Sequence, residues 1–175
     1  MTGFRELYTG DLARYGDDGA GFYLRRLLKR FRKAQTCGNR FVRLYYRLLY
    51  ARLSRKRGIE ISWRTTIGKG LYLGHAYNIT INPNAVIGEN CNIHKGALIG
   101  QTNRGDRRGV PTIGNCVWIG INAAIVGRVT VGDDVLIAPN TYVNCDIPSH
   151  SVVYGNPCII VPRENATEHY INHQA

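Results

Sequence analysis

The sequence contains no run of about 20 uninterrupted apolar residues, because charges break every hydrophobic stretch within a few positions, and this excludes a membrane-spanning helix. Met1 to Tyr15 lack the basic-then-apolar pattern of a secretory leader. A cytoplasmic location is therefore expected, with attachment to the inner membrane face left open. The five cysteines, Cys37, Cys91, Cys116, Cys145 and Cys158, are odd in number and form no close pair in sequence, which argues against a disulfide framework and against a zinc knuckle. Reduced thiols are expected, with Cys91 and Cys116 at repeat positions that take a small side chain.

Acidic residues are also scarce, 12 against 23 Lys and Arg, for a formal charge of +11. The shortage is local. From Phe22 to Arg57 there are 13 Lys or Arg and no acid, whereas the rest of the chain holds 10 basic and 12 acidic residues. Gly21 to Gln35 and Arg40 to Arg57 have the pattern of two helices, with Cys37-Gly38-Asn39 as the turn and Gly58 as the stop. On the second, Phe41, Leu44, Tyr45, Leu48, Leu49 and Arg52 follow helical spacing, with Arg43, Arg47 and Arg55 interleaved. Two expectations stand side by side. Either the aromatics pack inward while the arginines are solvated, or residues 22–57 lie on an anionic membrane surface, where each basic residue is worth about 1 kcal/mol. Nucleic acid is not expected, since basic and aromatic residues on helices do not amount to base readout.

What the sequence does have is a period of six. Aliphatic residues return at Ile61, Ile67 and Leu73; after a two-residue slip at Ile81, Ile87, Ile93 and Ile99; and after a 14-residue jump at Ile113, Ile119, Ile125, Val131, Ile137 and Val143. Small or β-branched residues recur four positions later, at Thr65, Ala85, Cys91, Ala97, Val117, Ala123, Val129, Val135 and Thr141. Such a pattern suits a three-sided coil whose flat faces each take one hexapeptide and whose aliphatic residues point into a triangular core. The expected fold is a left-handed parallel β-helix of about five coils, preceded by an α-helical segment. An antiparallel sandwich would instead alternate with period two. The expected organisation is a basic helical segment at 1–58, the β-helix at 59–162, and a polar, loose tail at 163–175.

The two interruptions of the repeat hold the candidate chemistry. His75 sits in the two-residue slip, and inserts in a solenoid are pushed outward to where they can meet a partner. If Ile93 stacks on Leu73, His94 lies about 4.8 Å from Gly74, one strand spacing away. An alcohol is a weak nucleophile at neutral pH, and an imidazole is the side chain best suited to take its proton in the transition state. His94 alone is a polar corner residue or a contributor to an acceptor site.

The stretch from Gly58-Ile59-Glu60-Ile61 through Ile67-Gly68-Lys69-Gly70-Leu71, Gly74-His75, Ile113-Gly114 and Ile119-Gly120 to Ser151-Val152-Val153-Tyr154-Gly155-Asn156-Pro157 resembles the serine acetyltransferase branch of the hexapeptide-repeat acyltransferases, which includes capsule and exopolysaccharide O-acetyltransferases. The resemblance implies a homotrimer with active sites between subunits, acetyl-CoA as co-substrate without a metal, and His75 as general base for direct attack of a hydroxyl on the thioester. It also implies that Asp106 and Arg107, in Gly105-Asp106-Arg107-Arg108, contact the acceptor across the subunit boundary. Two positions depart from it: Gly74, where these enzymes carry Asp, and Arg108, where they carry His. Both fall on the acceptor side and suit a sugar hydroxyl of a surface-polysaccharide precursor more than L-serine. Gly120, Ala123 and Ala138 match positions that line the pantetheine arm. Cys158-Ile159 replaces the usual Ala-Lys, so Arg163 or Arg128 would have to meet the cofactor phosphates. Two other readings of the coil are a zinc protein of the γ-carbonic anhydrase kind, which needs three histidines per metal, and a non-catalytic scaffold.

Overall fold

The computed structural model describes residues 3–17 and 19–175; Met1, Thr2 and Asp18 lie outside them, and with them the first residues of the stretch inspected for a leader. Three helices come first: α1 (Phe4–Ala13), α2 (Phe22–Thr36) and α3 (Arg40–Arg55). The α2–α3 turn ends in Asn39, whose side-chain oxygen accepts from the amides of Phe41 and Val42, and Gly58 follows α3 with φ +61°. Among the described residues no helix is long and apolar enough to cross a membrane.

Five coils follow. The first is β1 (Glu60–Ile61), β2 (Thr66–Ile67) and β3 (Tyr72–Gly74); the second is β4 (Thr80–Ile81), β5 (Val86–Ile87) and β6 (Asn92–His94). The third is β7 (Leu98–Gly100), β8 (Thr112–Ile113) and β9 (Val117–Ile119); the fourth is β10 (Ala124–Val126), β11 (Thr130–Val131) and β12 (Val135–Ile137). The fifth has β13 (Tyr142–Val143) and β14 (Ser151–Tyr154), and β15 (Ile159–Pro162) turns back antiparallel on β14. Equivalent strands stack in parallel into three sheets, ordered β1-β4-β7-β10-β13, β2-β5-β8-β11 and β3-β6-β9-β12-β14. This is the left-handed parallel β-helix.

Every one of the aliphatic anchors is buried, from Ile61 at 5% exposure to Val143 at 0%, and so are all the small residues four positions on. The core is thus a stack of branched side chains closed at each corner by a small one, which no single coil could bury alone. One edge is turned by Gly70, Asn90, Cys116, Asp134 and His150, all with positive φ between 52° and 75°. Each of the last four donates its amide to the coil before, as from Asn90 to Lys69 O at 2.9 Å and from Cys116 to Glu89 O at 2.8 Å. Cys116 is therefore a half-buried corner residue and not the core packing residue expected from the repeat; Val117 takes that place. Cys145 and Cys158, distant in the repeat, bring their sulfurs to 3.7 Å.

Helix α1 has no counterpart in the sequence reading. It is fastened to the first coil by Asp11 and Arg32, both fully buried, which pair in a two-pronged contact of 2.7 and 2.8 Å. Arg32 also donates to the carbonyls of Ile67 and Gly68, and Asp11 accepts from the amide of Leu71. Gly10 permits the approach: a Cβ there would stand 3.3 Å from that of Lys69.

The tail is docked, not loose. Residues Asn165 to Ala175 lie along the third sheet with Ala166 and Ile171 buried, because polar groups of the coils meet their backbone. Asp134 accepts from the amides of Ala166 and Thr167, both at 2.9 Å, and from the Thr167 hydroxyl; Asn92 donates to Tyr170 O, and Asn90 accepts from the Ala175 amide. Partial burial alone would push the Asp134 carboxyl up, but the donors on Thr167, His150 and Ala166 hold it below the usual carboxylate range. Its contribution is therefore complete above about pH 4, the unfolded value, and is lost as pH falls through the lower folded value. In Asp134→Asn, which keeps the left-handed backbone but loses the charge, amide exchange in 165–175 is expected to accelerate roughly tenfold or more while the core strands are unchanged. Unchanged exchange in the tail would mean that other contacts hold it.

Candidate active site

His75 follows β3 directly, at the edge where the third sheet turns into the first, with φ 51°. The inserted residues are pinned from the next coil, where the Lys95 amide donates to Gly74 O at 3.0 Å and the Gly96 amide to Tyr77 O at 3.1 Å. Ala76 is buried beneath them. What remains free is the His75 imidazole, which is exposed in the single protomer.

The register places Gly74 beside His94 and Leu73 beside Ile93, as the count of rungs requires. A Cβ on Gly74 would lie 2.3 Å from His94 Nδ1, so the His94 ring occupies the space that a side chain at position 74 would need. Trp118 stands 4.6 Å from that ring and Tyr72 6.2 Å, centre to centre, and its Nε2 is buried without a partner among the described residues. Burial first and the neighbouring His75 second hold the His94 pKa below its ordinary value, which keeps it neutral at pH 7. Behind it lies a cavity of about 390 Å³ lined by Arg14, Tyr15, Tyr72, Asn92, Trp118 and Tyr170. Gly74→Ala is expected to lower stability by about 1–3 kcal/mol by displacing this ring, and much less when combined with His94→Ala, as read by urea unfolding. Equal losses in both backgrounds would show that the two positions do not compete.

Along the same edge the column runs Gly74, His94, Gly120, Ala138, since Ile93 pairs with Ile119 and Ile119 with Ile137. A Cβ on Gly120 would meet Pro139 N at 2.6 Å, so close stacking of coils already demands this glycine. Ala138 is half-buried and its amide donates to Val153 O at 2.8 Å. Ala123 is fully buried; its amide donates to Gly120 O and its carbonyl accepts from the Leu98 amide, so it is a core residue behind this edge. Arg163 is not on this edge. It follows β15 and donates its amide to His150 O, at the opposite side of the third sheet.

Asp106 and Arg107 lie in the loop between β7 and β8, at the edge joining the first and second sheets. The loop is closed by a reciprocal pair of amide bonds between Thr102 and Gly109. Arg107 donates to Asp146 at 2.7 Å and to Arg128 O, while Arg128 donates to Asp106 O. The hydrogen bond between Arg107 and Asp146, both exposed, raises the guanidinium pKa and lowers the carboxyl pKa. One protomer thus carries His75 and His94 together on one edge and the Asp106–Arg107 loop on another. A second cleft, of about 550 Å³, sits between α3 and the first coils at that latter edge, bordered by Tyr50, Ile59, Glu60 and Trp63. Among the described residues, no three or more His, Cys, Asp or Glu side chains converge as they must to hold a metal ion.

Trp118 and Tyr72, which hold the His94 ring, were not singled out in the sequence. The signal was present: Tyr72, which opens β3, and Trp118, in the middle of β9, stand in one column with Asn92.

A family model described as bacterial transferase hexapeptide (six repeats) matches residues 111–145. Serine acetyltransferase 2 of Arabidopsis thaliana is 35% identical over 136 residues, spanning 77% of this chain and 42% of the relative. A serine acetyltransferase of Helicobacter pylori is 34% identical over 107 residues, or 61% of this chain and 63% of the relative. The chain therefore covers about two fifths of the first relative's length and somewhat under two thirds of the second's. Among solved structures, soybean serine acetyltransferase complexed with serine superposes with a TM-score of 0.76 at 26% identity, over 92% of this chain and 70% of that one.

Proposed function

This chain being a hexapeptide-repeat protein similar in sequence and fold to the serine acetyltransferases, we propose that it is an acetyl-CoA-dependent O-acetyltransferase with His75 as general base. His75 takes the proton of an acceptor hydroxyl as that oxygen attacks the thioester carbonyl. A carbon–oxygen bond forms, the tetrahedral centre collapses with loss of the carbon–sulfur bond, and the leaving sulfur recovers the proton from the imidazolium. Acetyl-CoA runs along the seam of Gly120 and Ala138, whose small side chains leave the edge low. A single observation carries this reading: the exposed imidazole of His75 lies next to the edge column Gly74, His94, Gly120 and Ala138, whose last two positions are small.

The site is completed by a neighbour. Since the Asp106–Arg107 loop and His75 occupy different edges of a three-sided prism, a cyclic trimer brings the loop of one protomer to the His75 edge of the next, and the heterologous contact closes. The acceptor is a sugar hydroxyl of a surface-polysaccharide precursor. Support comes from position 74, where His94 fills the room that an aspartate would occupy, and from Arg108, which replaces an imidazole by a longer cation. L-Serine is the second reading, favoured by the names of the relatives.

Release of free thiol from acetyl-CoA, measured against serine and a panel of nucleotide-linked and free sugars, separates the two. Turnover with a sugar and little with serine is expected. Turnover with serine alone transfers the reading to the amino acid, and no thiol release with any acceptor removes it.

A further inference from the structure

The apolar stripe of α3 faces solvent. Phe41, Leu44, Tyr45 and Leu48, spaced as neighbours along one helix face, are 74%, 53%, 58% and 64% exposed. The inward side is held instead by Tyr50, which packs on Phe31 with ring centres 5.4 Å apart and donates its hydroxyl to Ile61 O, and by Ser54. A helix in a finished protomer ordinarily buries its stripe.

Basic residues flank this row. Arg26, Lys29 and Arg30 of α2 border the same surface depression as Tyr45, Tyr46 and Leu49 of α3. Phe22, 75% exposed, adds an aromatic beside Arg26, whose guanidinium lies 4.9 Å from its ring centre. No acid lies between Phe22 and Arg57, and of the 13 positive charges there Arg32 is the one that the fold buries against a carboxylate, that of Asp11 on α1.

We infer that this face is a docking surface for an anionic lipid bilayer, with Phe41, Leu44, Tyr45 and Leu48 set into the headgroup boundary and the arginines and lysines among the phosphates. The charge selects the occupant. A second copy joined face to face would oppose two acid-free, strongly positive surfaces, whereas an anionic bilayer offers counter-charge and an apolar layer together. The inference is independent of the acyl-transfer chemistry.

The test is co-sedimentation of the full chain with phosphatidylcholine vesicles, with and without phosphatidylglycerol, for the wild type and for Leu44→Ser/Leu48→Ser, alongside the solution mass of each. Because both leucines are exposed, the double variant should melt as the wild type does. Expected are binding only where phosphatidylglycerol is present, weakening with added salt, and a loss of about tenfold or more in the double variant. Two results overturn the proposal: no binding by the wild type, or equal binding by the double variant; the first together with a drop in solution mass of the double variant would identify a second copy as the occupant.

Discussion

Replacing His75 by asparagine is expected to lower kcat for acetyl transfer by roughly 10²- to 10⁴-fold, the usual contribution of a general base, while leaving KM for acetyl-CoA nearly unchanged. The choice of asparagine follows from the backbone. His75 has φ 51°, a left-handed conformation that asparagine tolerates and that costs most other residues about 1–2 kcal/mol. His75→Asn thus removes the proton acceptor and keeps the corner, whereas His75→Ala removes the acceptor and adds strain. The two variants should lose rate alike and differ in thermal midpoint, with the alanine lower. A rate within a few-fold of wild type in both would eliminate His75 as the base, whatever the fate of the fold. The unaltered KM follows from the proposed cofactor seam, which lies on later coils, at Gly120 and Ala138, beyond His75 on the edge.

The second large effect concerns stability. Arg32→Ala is expected to cost about 3–5 kcal/mol in urea unfolding, and Asp11→Ala a comparable amount, because either change leaves a charge buried without its partner. Both side chains are fully inaccessible, and between them they satisfy the carbonyls of Ile67 and Gly68 and the amide of Leu71. The pair thereby ties α1 and α2 to the open end of the coil, where no further rung covers the first one. Replacing both residues by apolar ones of similar volume should cost much less than either single change, since the burial of ions is itself unfavourable. A loss below about 1 kcal/mol in Arg32→Ala would show that water reaches the pair and that it does not fasten the helices.

The coil was legible because its constraint is periodic. Each inward position sees the same surroundings one turn up and one turn down, so a six-residue rhythm of Ile, Val and Leu survives in the sequence and fixes the register that puts His94 beside Gly74. Helix α1 left no such trace. It attaches through Gly10 and the single carboxylate of Asp11, and its partners on α2 and the first coil are about 20 and 60 residues away. The docked tail was misread for the same reason, as its anchors are side chains of Asp134, Asn92 and Asn90 meeting backbone groups, and polar contacts of that kind have no period. The α3 stripe was visible as a stripe, yet spacing alone cannot say which way a face turns. The structure turns Phe41 out and Tyr50 in, so the expectation that the aromatics pack inward does not hold throughout. At the site, the Gly74–His75 edge was accessible from the sequence, whereas the position of Arg163 was not, because β15 reverses direction on β14.

The proposed site is assembled from two protomers, and subunit complementation measures that directly. His75→Asn chains and Arg107→Ala chains, each nearly inactive alone, are mixed by co-expression and assayed for thiol release at subsaturating acceptor. If His75 of one protomer works with the loop of its neighbour, random assembly restores about a quarter of the sites to wild-type composition, and kcat/KM rises to that share. If the mixture shows only the mean of the two parent activities, His75 and Arg107 do not act across a shared boundary, and no site is built from two protomers.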